Sequence, residues 1–239
     1  EYGNSIPEFV EKVRRGVPTA VFGVPDPFKI FMASALDRPV LYVVKDGLSA
    51  ELAKKEAEVL GRHAVYIPPK DEILLSAKAF SRESAYARII AADEMRNADF
   101  IVATAETLMQ TFPKNVRYVG IRTGEDRDLA QTAKELVALG YRRTDDAESK
   151  GTFALRGDVL DVFPINSELP YRADFFGDTV ESVKKFDPDT RKSLGFCDGF
   201  YALQAQEFTF KEDDLGMFSS VIKNELKTAP TGSYQRLKI

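Results

Sequence analysis

The chain has 239 residues, enough for one large domain or two small ones, and its composition is that of an ordinary globular protein. Hydrophobic residues make up 44% of it and charged residues 29%, which excludes a disordered or collagen-like chain. The 33 Lys and Arg against 37 Asp and Glu give a net charge of -4, which argues against a domain that holds nucleic acid by bulk charge.

The single cysteine and the single histidine exclude two common kinds of site. Cys197 cannot form a disulfide within the chain, and His63 alone cannot build a histidine metal site. No run approaches the roughly 18 apolar residues of a membrane helix, and the first residues lack the basic start and apolar core of a signal peptide. The sequence therefore predicts a cytoplasmic protein with no metal, no cofactor and no membrane segment.

The first half of the chain alternates helical segments with short apolar strands. Ser5 and Pro7 favour the start of a first helix and Gly16 its end, whereas the run Val40–Val44 is too short and too β-branched for a helix. The predicted helices are 6–15, 28–36, 49–60 and 81–96, and the predicted strands are 19–22, 40–44, 64–67 and 100–104. This order predicts an α/β fold with a doubly wound parallel sheet covered on both faces.

The pattern changes after about Gly124. A helix over 128–139 precedes the stretch 153–186, where apolar and polar residues alternate with period two between turn residues. This alternation predicts antiparallel strands, and a helical pattern over 215–226 is expected to return the chain to the first domain. The predicted domains are an α/β domain made of 1–124 and 197–239, and a small α+β domain, rich in antiparallel strands, inserted over 125–196.

The loop after the first predicted strand has the position and part of the sequence of a P-loop, G-x-x-x-x-G-K-[ST]. Gly23 and Lys29 stand at the right spacing, but Phe28 replaces the second glycine and Ile30 replaces the hydroxyl residue that would bind magnesium. The two prolines between Gly23 and Phe28 have no N–H to offer a phosphate. This segment is either a degenerate, non-functional phosphate loop or a plain strand–helix loop, and both interpretations predict no nucleotide hydrolysis.

Residues 151–193 carry the most specific pattern, GTFALRGDVLDVFPINSELPYRADFFGDTVESVKKFDPDTRKS. This stretch resembles the signature of the excinuclease protein UvrB, RGTFxVRGDVxDIFP followed by a strand that ends in EFFGDExE. The phrases SELPYRADFF and KFDPDTRKSL look more specifically like the transcription-repair coupling factor family (Mfd), whose N-terminal region is related to UvrB. The resemblance extends over almost the whole chain and is strongest over about 140–195.

The resemblance implies a degenerate helicase-like α/β domain and an inserted domain that binds the excinuclease protein UvrA. In that family the inserted domain recruits nucleotide excision repair to a stalled RNA polymerase, while RNA polymerase and double-stranded DNA bind other domains of the full-length, ATP-dependent translocase. The link 67–81 is too short for the DNA-clamping hairpin of UvrB, which counts against a DNA clamp. We therefore expect a non-catalytic recruitment module, the alternative being half of a divergent ATP-dependent helicase.

Three residues match family positions that belong to the surface used for UvrA. They are Arg156, Arg172 and Phe176, with Asp161 and Glu181 as supporting polar residues. Arginine together with an aromatic residue is the usual composition of an interface anchor, because it combines bidentate charge with apolar area. The resemblance thus predicts a partner-binding surface on the inserted domain.

Strand alternation assigns these residues to faces of the predicted sheet. Arg172 and Phe176 share a face with Asp174. The same alternation places on one face of the preceding strand Arg156, Asp158, Leu160 and Val162. The alternatives are that Phe176 belongs to the core and that Arg156 pairs internally with Asp158 or Asp174.

Overall fold

A computed structural model describes residues 5–70, 82–113, 115–207 and 219–220. The chain divides into two compact units, Glu1–Tyr118 and Val119–Ile239. No helix among the described residues is long and apolar enough to cross a membrane. Most of the predicted helix over 215–226 and most of the link over 67–81 lie outside the described residues.

The first unit is built from helices and short parallel strands. Its elements are α1 (Ser5–Arg14), α2 (Asp26–Ser34), β1 (Val40–Val44), α3 (Gly47–Val59), β2 (Ala64–Ile67), α4 (Arg82–Glu94), β3 (Phe100–Thr104) and α5 (Ala105–Leu108). The strands form a three-stranded sheet in the order β1-β3-β2, and both pairings are parallel. The predicted parallel α/β sheet is confirmed.

Helices pack on both faces of this sheet, but the coverage is incomplete. Alanines of α3, among them Ala50 and Ala53, pack with Phe100 on one face, and Ala91 of α4 packs with Val65 on the other. On the second face of β1, however, Leu41 and Val43 are 54% and 49% exposed. The prediction of a sheet covered on both faces is therefore wrong for β1, which is an edge strand.

The predicted strand over 19–22 is also wrong. This segment has no regular structure, and Phe22 is 88% exposed. The hydroxyl of Thr19 instead donates a local hydrogen bond to the Val17 carbonyl. A run of strand-favouring residues becomes a strand only when a neighbouring strand completes its hydrogen bonds, and none of the described strands pairs with this one. The loop that contains Gly23 therefore does not follow a strand of the sheet.

The second unit is mainly antiparallel. Its elements are β4 (Tyr118–Arg122, whose first residue precedes the division), α6 (Leu129–Ala138), β5 (Arg142–Arg143), β6 (Thr152–Arg156), β7 (Val159–Phe163), β8 (Tyr171–Phe176), β9 (Thr179–Phe186), β10 (Ser193–Cys197) and β11 (Gly199–Leu203). A six-stranded sheet has the order β10-β9-β8-β7-β6-β5, and only the short β5–β6 pairing is parallel. The predicted antiparallel strands are confirmed.

Residues at and after β11 are bonded within this second unit. The Tyr141 hydroxyl donates to the Leu203 carbonyl at 2.9 Å and accepts the Ile165 N–H at 3.2 Å. The Ala205 N–H donates to the Leu139 carbonyl at 2.7 Å, at the end of α6. The described residues after β10 thus lie with the second unit, which differs from the predicted assignment of 197–239 to the first domain.

Candidate functional site

One face of the six-stranded sheet carries most of its polar side chains. The pairing registers put Phe196, Lys184, Arg172 and Asp161 in one row across strands β10, β9, β8 and β7. Residues directly opposite each other in adjacent antiparallel strands point to the same face of the sheet. We name the polar face by these residues together with those that share it in neighbouring rows: Arg156, Asp161, Arg172, Asp174, Phe176, Lys184 and Phe196.

Arg156 lies on the polar face, but not with the neighbours predicted for it. It pairs with Val159 across the β6–β7 hairpin, so it shares its face with Asp161. Leu160 and Val162 are fully buried on the opposite face. The prediction assumed that side chains keep alternating between the two faces through the turn between β6 and β7. The turn reverses the chain, so the alternation of β7 does not continue that of β6.

Asp161 is the centre of the polar face. Its carboxylate is 1% exposed and accepts hydrogen bonds from two arginines. Arg156 Nη2 donates to Oδ2 at 2.6 Å, while Arg172 donates from Nε to Oδ1 at 2.6 Å and from Nη2 to Oδ2 at 2.8 Å. A buried carboxylate with several charge-assisted bonds fixes both guanidinium groups in place.

A second carboxylate, Asp146 in the loop before β6, bonds Arg156 from the other side. The same oxygen of Asp146 also accepts from Arg191, in the β9–β10 turn. Burial opposes ionisation of Asp146, but the hydrogen bonds from Arg156 and Arg191 prevail and hold its pKa below the ordinary value. Arg156 therefore bridges two carboxylates, and neither of them is the Asp158 or the Asp174 considered from sequence.

Arg172 is more enclosed than Arg156. Its side chain is 22% exposed against 43% for Arg156. Its guanidinium lies 5.0 Å from the centroid of the Phe186 ring, and its hydrogen bonds to Asp161 raise the pKa of Arg172 further. Arg172 thus supports the fold as well as contributing positive charge to the surface.

Asp174 and Lys184 form the second charged pair of the face. Lys184 Nζ lies 2.8 Å from Asp174 Oδ2, which also accepts from the Ser182 hydroxyl at 2.9 Å. Burial of Asp174 favours its neutral form, but these two hydrogen bonds outweigh it, so the pKa of Asp174 is lowered. Both side chains of this pair are partly exposed.

Phe176 ends β8 and is 79% exposed, so it is not a core residue. The register of β8 and β9 shifts after Asp174, and Glu181 is the extra residue on β9. Because β8 itself keeps regular alternation, Phe176 stays on the polar face while Phe175 is buried. The exposed ring is available to a partner.

Phe196, like Lys184, is a residue of this face that the sequence did not reveal. It is 77% exposed and stands opposite Lys184. Its position depends on β10 pairing with β9, and the alternating pattern over 153–186 ends before it. A signal was present in the sequence, since Leu194 and Phe196 alternate with Gly195 directly after a turn sequence.

The four residues of the P-loop-like segment lie in the first unit, where Phe28, Lys29 and Ile30 already contact other residues of the chain. Lys29 Nζ bonds Asp26 Oδ1 at 2.7 Å, an ion pair whose hydrogen bond raises the pKa of Lys29 and lowers that of Asp26. The Phe28 N–H already donates to the Pro25 carbonyl, and Ile30 is buried in the core. Gly23 has a positive φ of 70° in an irregular segment.

Comparison with known proteins relates the second unit, which carries the polar face, to a protein family. Residues 119–208 match the model of the UvrB interaction domain, and the match begins where the second unit begins. The transcription-repair-coupling factor of Escherichia coli K12 is 37% identical over 113 residues, which is 46% of this chain and 10% of that protein.

Two UvrABC system B proteins are also similar. That of Chlorobium chlorochromatii is 34% identical over 108 residues, covering 45% of this chain and 16% of that protein. That of Streptomyces coelicolor is 26% identical over 216 residues, covering 82% of this chain and 30% of that protein. The chain thus spans less than a third of the length of these curated relatives. The resemblance seen in the sequence is confirmed: residues 119–208 match the model of the UvrB interaction domain, within a chain similar to transcription-repair-coupling factors and UvrABC system protein B.

Proposed function

We propose that this chain is a non-catalytic recruitment module of nucleotide excision repair that binds the excinuclease protein UvrA through the polar face. The match of 119–208 to the UvrB interaction domain carries the proposal, because that matched segment holds the whole face. The three predicted site residues, Arg156, Arg172 and Phe176, lie on this one face. An exposed aromatic ring beside fixed arginines is the composition expected of a binding hot spot.

The charges of the face favour a protein partner over nucleic acid. The positive side chains of the face, Arg156, Arg172 and Lys184, are interleaved with the carboxylates of Asp161 and Asp174, and the adjoining loops add one more charge of each sign, Arg191 and Asp146. Such a face has little net charge to attract a phosphate backbone, whereas it offers paired donors and acceptors to another protein surface. The acidic net charge of the whole chain points the same way.

Phe176→Ala tests this function directly. We expect the wild-type chain to bind purified UvrA, and Phe176→Ala to weaken the Kd by about tenfold or more, since an exposed ring that becomes buried is a strong anchor. Isothermal titration calorimetry measures both. The control is Phe22→Ala, the same change at an exposed ring of the first unit, which should bind like wild type. Absence of binding by the wild-type chain would refute the function.

We further propose that the chain does not hydrolyse ATP, because the P-loop-like segment lacks the second glycine and the magnesium ligand and its Lys29 is paired with Asp26. Titration with a fluorescent ATP analogue and magnesium should show no saturable binding, and Lys29→Ala should give the same titration curve. Saturable, magnesium-dependent binding that Lys29→Ala abolishes would instead support the divergent helicase half.

The wider role follows from the relatives rather than from the described residues. We propose that the chain is part of a longer coupling factor, in which other domains bind RNA polymerase and double-stranded DNA and act as the ATP-dependent translocase. The first unit would then be its degenerate helicase-like domain, and the polar face would bring UvrA to a stalled polymerase in the cytoplasm.

A further inference from the structure

Phe196 lies on the polar face beyond the predicted site residues. A phenylalanine stabilises a fold when its ring leaves water, yet this ring is 77% exposed on a strand. Its neighbour Leu194 is 55% exposed, so the strand presents two large apolar side chains to solvent. A cluster of exposed apolar side chains beside charged residues is typical of an interaction surface.

The edge of β10 is unsuited to pairing with an added strand. β10 is the last strand of the described sheet, and its register with β9 shifts between Ser193 and Gly195. Gly195 has a φ of 134°, a conformation that side chains rarely adopt. A bulge of this kind bends an edge strand and interrupts the regular row of N–H and C=O groups that an incoming strand needs. A partner at this edge would therefore meet the Phe196 side chain rather than a regular row of backbone groups.

The width of the polar face also favours a role for β10 in binding the partner. Arg156, Arg172 and Phe176 occupy only β6 to β8, whereas a standard protein interface buries roughly 800 Å² on each partner. At about 4.8 Å between neighbouring strands, the face from Arg156 on β6 to Phe196 on β10 is about 19 Å wide. The row Phe196, Lys184, Arg172 continues the predicted site to the edge of the sheet without a gap.

We propose that Phe196 is a second aromatic anchor of the surface that binds UvrA, at the opposite edge of the polar face from Arg156. The partner surface would place an apolar pocket over Phe196 and hydrogen-bonding carboxylates over the exposed parts of Arg156 and Lys184. This inference rests on the proposed function and extends it from three strands to five.

Phe196→Ala in the whole chain tests the inference, with Kd for purified UvrA as the readout. We expect a loss of about tenfold or more, comparable to that of Phe176→Ala and about additive with it, because the two rings lie far apart on the face. The melting temperature should stay that of wild type, since the ring is exposed. Phe22→Ala again serves as the matched control and should bind normally.

The possible failures are distinguishable. If the wild-type chain binds UvrA and Phe176→Ala weakens it, but Phe196→Ala binds like wild type, the second anchor is refuted and the proposed function stands. If Phe196→Ala lowers the melting temperature, the ring packs within the chain and the inference is refuted. If Phe22→Ala loses as much affinity as Phe196→Ala, the loss is not specific to the polar face and the inference is refuted.

Discussion

Asp161→Ala is expected to lower the free energy of unfolding by about 3 kcal/mol or more, because it leaves a largely buried guanidinium without its carboxylate. The Arg172 side chain is 22% exposed and makes both of its charged hydrogen bonds to Asp161. Arg156 would keep Asp146, whereas Arg172 would lose its hydrogen-bonded carboxylate and keep the ring of Phe186 and the Coulombic attraction of Asp174. The loss falls on the strands that form the polar face, so UvrA binding should weaken as well.

Urea unfolding followed by circular dichroism measures this loss, and hydrogen exchange of peptides from β6 to β9 shows whether it lies in the second unit. Asp158→Ala is the matched control: Asp158 is exposed in the β6–β7 turn, so its removal should change stability by about 0.5 kcal/mol or less. An Asp161→Ala variant as stable as Asp158→Ala would contradict the buried ion-pair network.

A double-mutant cycle separates the pair from its parts. Arg172→Ala alone leaves the Asp161 carboxylate with fewer hydrogen bonds, and Asp161→Ala alone leaves Arg172 without its carboxylate. Each single change therefore includes the free-energy penalty of a charge that has lost a partner. The double variant removes both charges and should be less destabilised than the sum of the singles by about 1 kcal/mol or more. Additive losses would mean that the two side chains do not depend on each other.

Local sequence patterns predicted much of the fold because the signals they use are local. Period-two alternation over 153–186 identified four antiparallel strands, and the helix predicted over 128–139 is α6 to within one residue at each end. Asp128 accepts the Gln131 N–H at 2.6 Å, and Gly140 has a φ of 90° just past the helix. Capping and alternation are set within a few residues, so one sequence suffices to find them.

The predictions that were wrong concern features that depend on residues distant in the sequence. Residues 19–22 have strand propensity but no neighbouring strand among the described residues, and nothing local records that absence. The partners of Arg156 were misidentified because Asp146 reaches it from a separate loop, and the turn after β6 shifts the alternation. Phe196 was missed because its face is fixed only by pairing with β9. The face on which a side chain lies and the residue with which it forms an ion pair are set by tertiary structure. The local sequence pattern alone does not determine them.

Arg156→Ala is expected to give the largest loss of UvrA affinity without loss of stability. The Arg156 side chain is 43% exposed, the more accessible of the two predicted arginines. When it is removed, Asp146 still bonds Arg191, and Asp161 still accepts two hydrogen bonds from Arg172. Neither carboxylate is left unpaired, so the fold should persist while the surface loses a positive donor.

The expected change is a Kd weaker by about tenfold to a hundredfold, since a fixed arginine at an interface is a common hot spot. Arg156→Glu should be weaker still, because it adds repulsion to the carboxylates expected on the partner. Arg143→Ala is the control. Arg143 is exposed on β5 and pairs in register with Phe153, whose side chain belongs to the face opposite the polar face. The control thus removes an exposed arginine that does not belong to the polar face.

Melting temperatures decide how the affinities are interpreted. For Arg156→Ala the melting temperature should match that of wild type, whereas for Arg172→Ala it should fall together with the affinity, because Arg172 supports the fold. Arg156→Ala is thus the variant in which binding is separated from stability. If it binds UvrA as tightly as Arg143→Ala does, Arg156 serves only to join Asp146 to Asp161 and is not an anchor of the UvrA-binding surface.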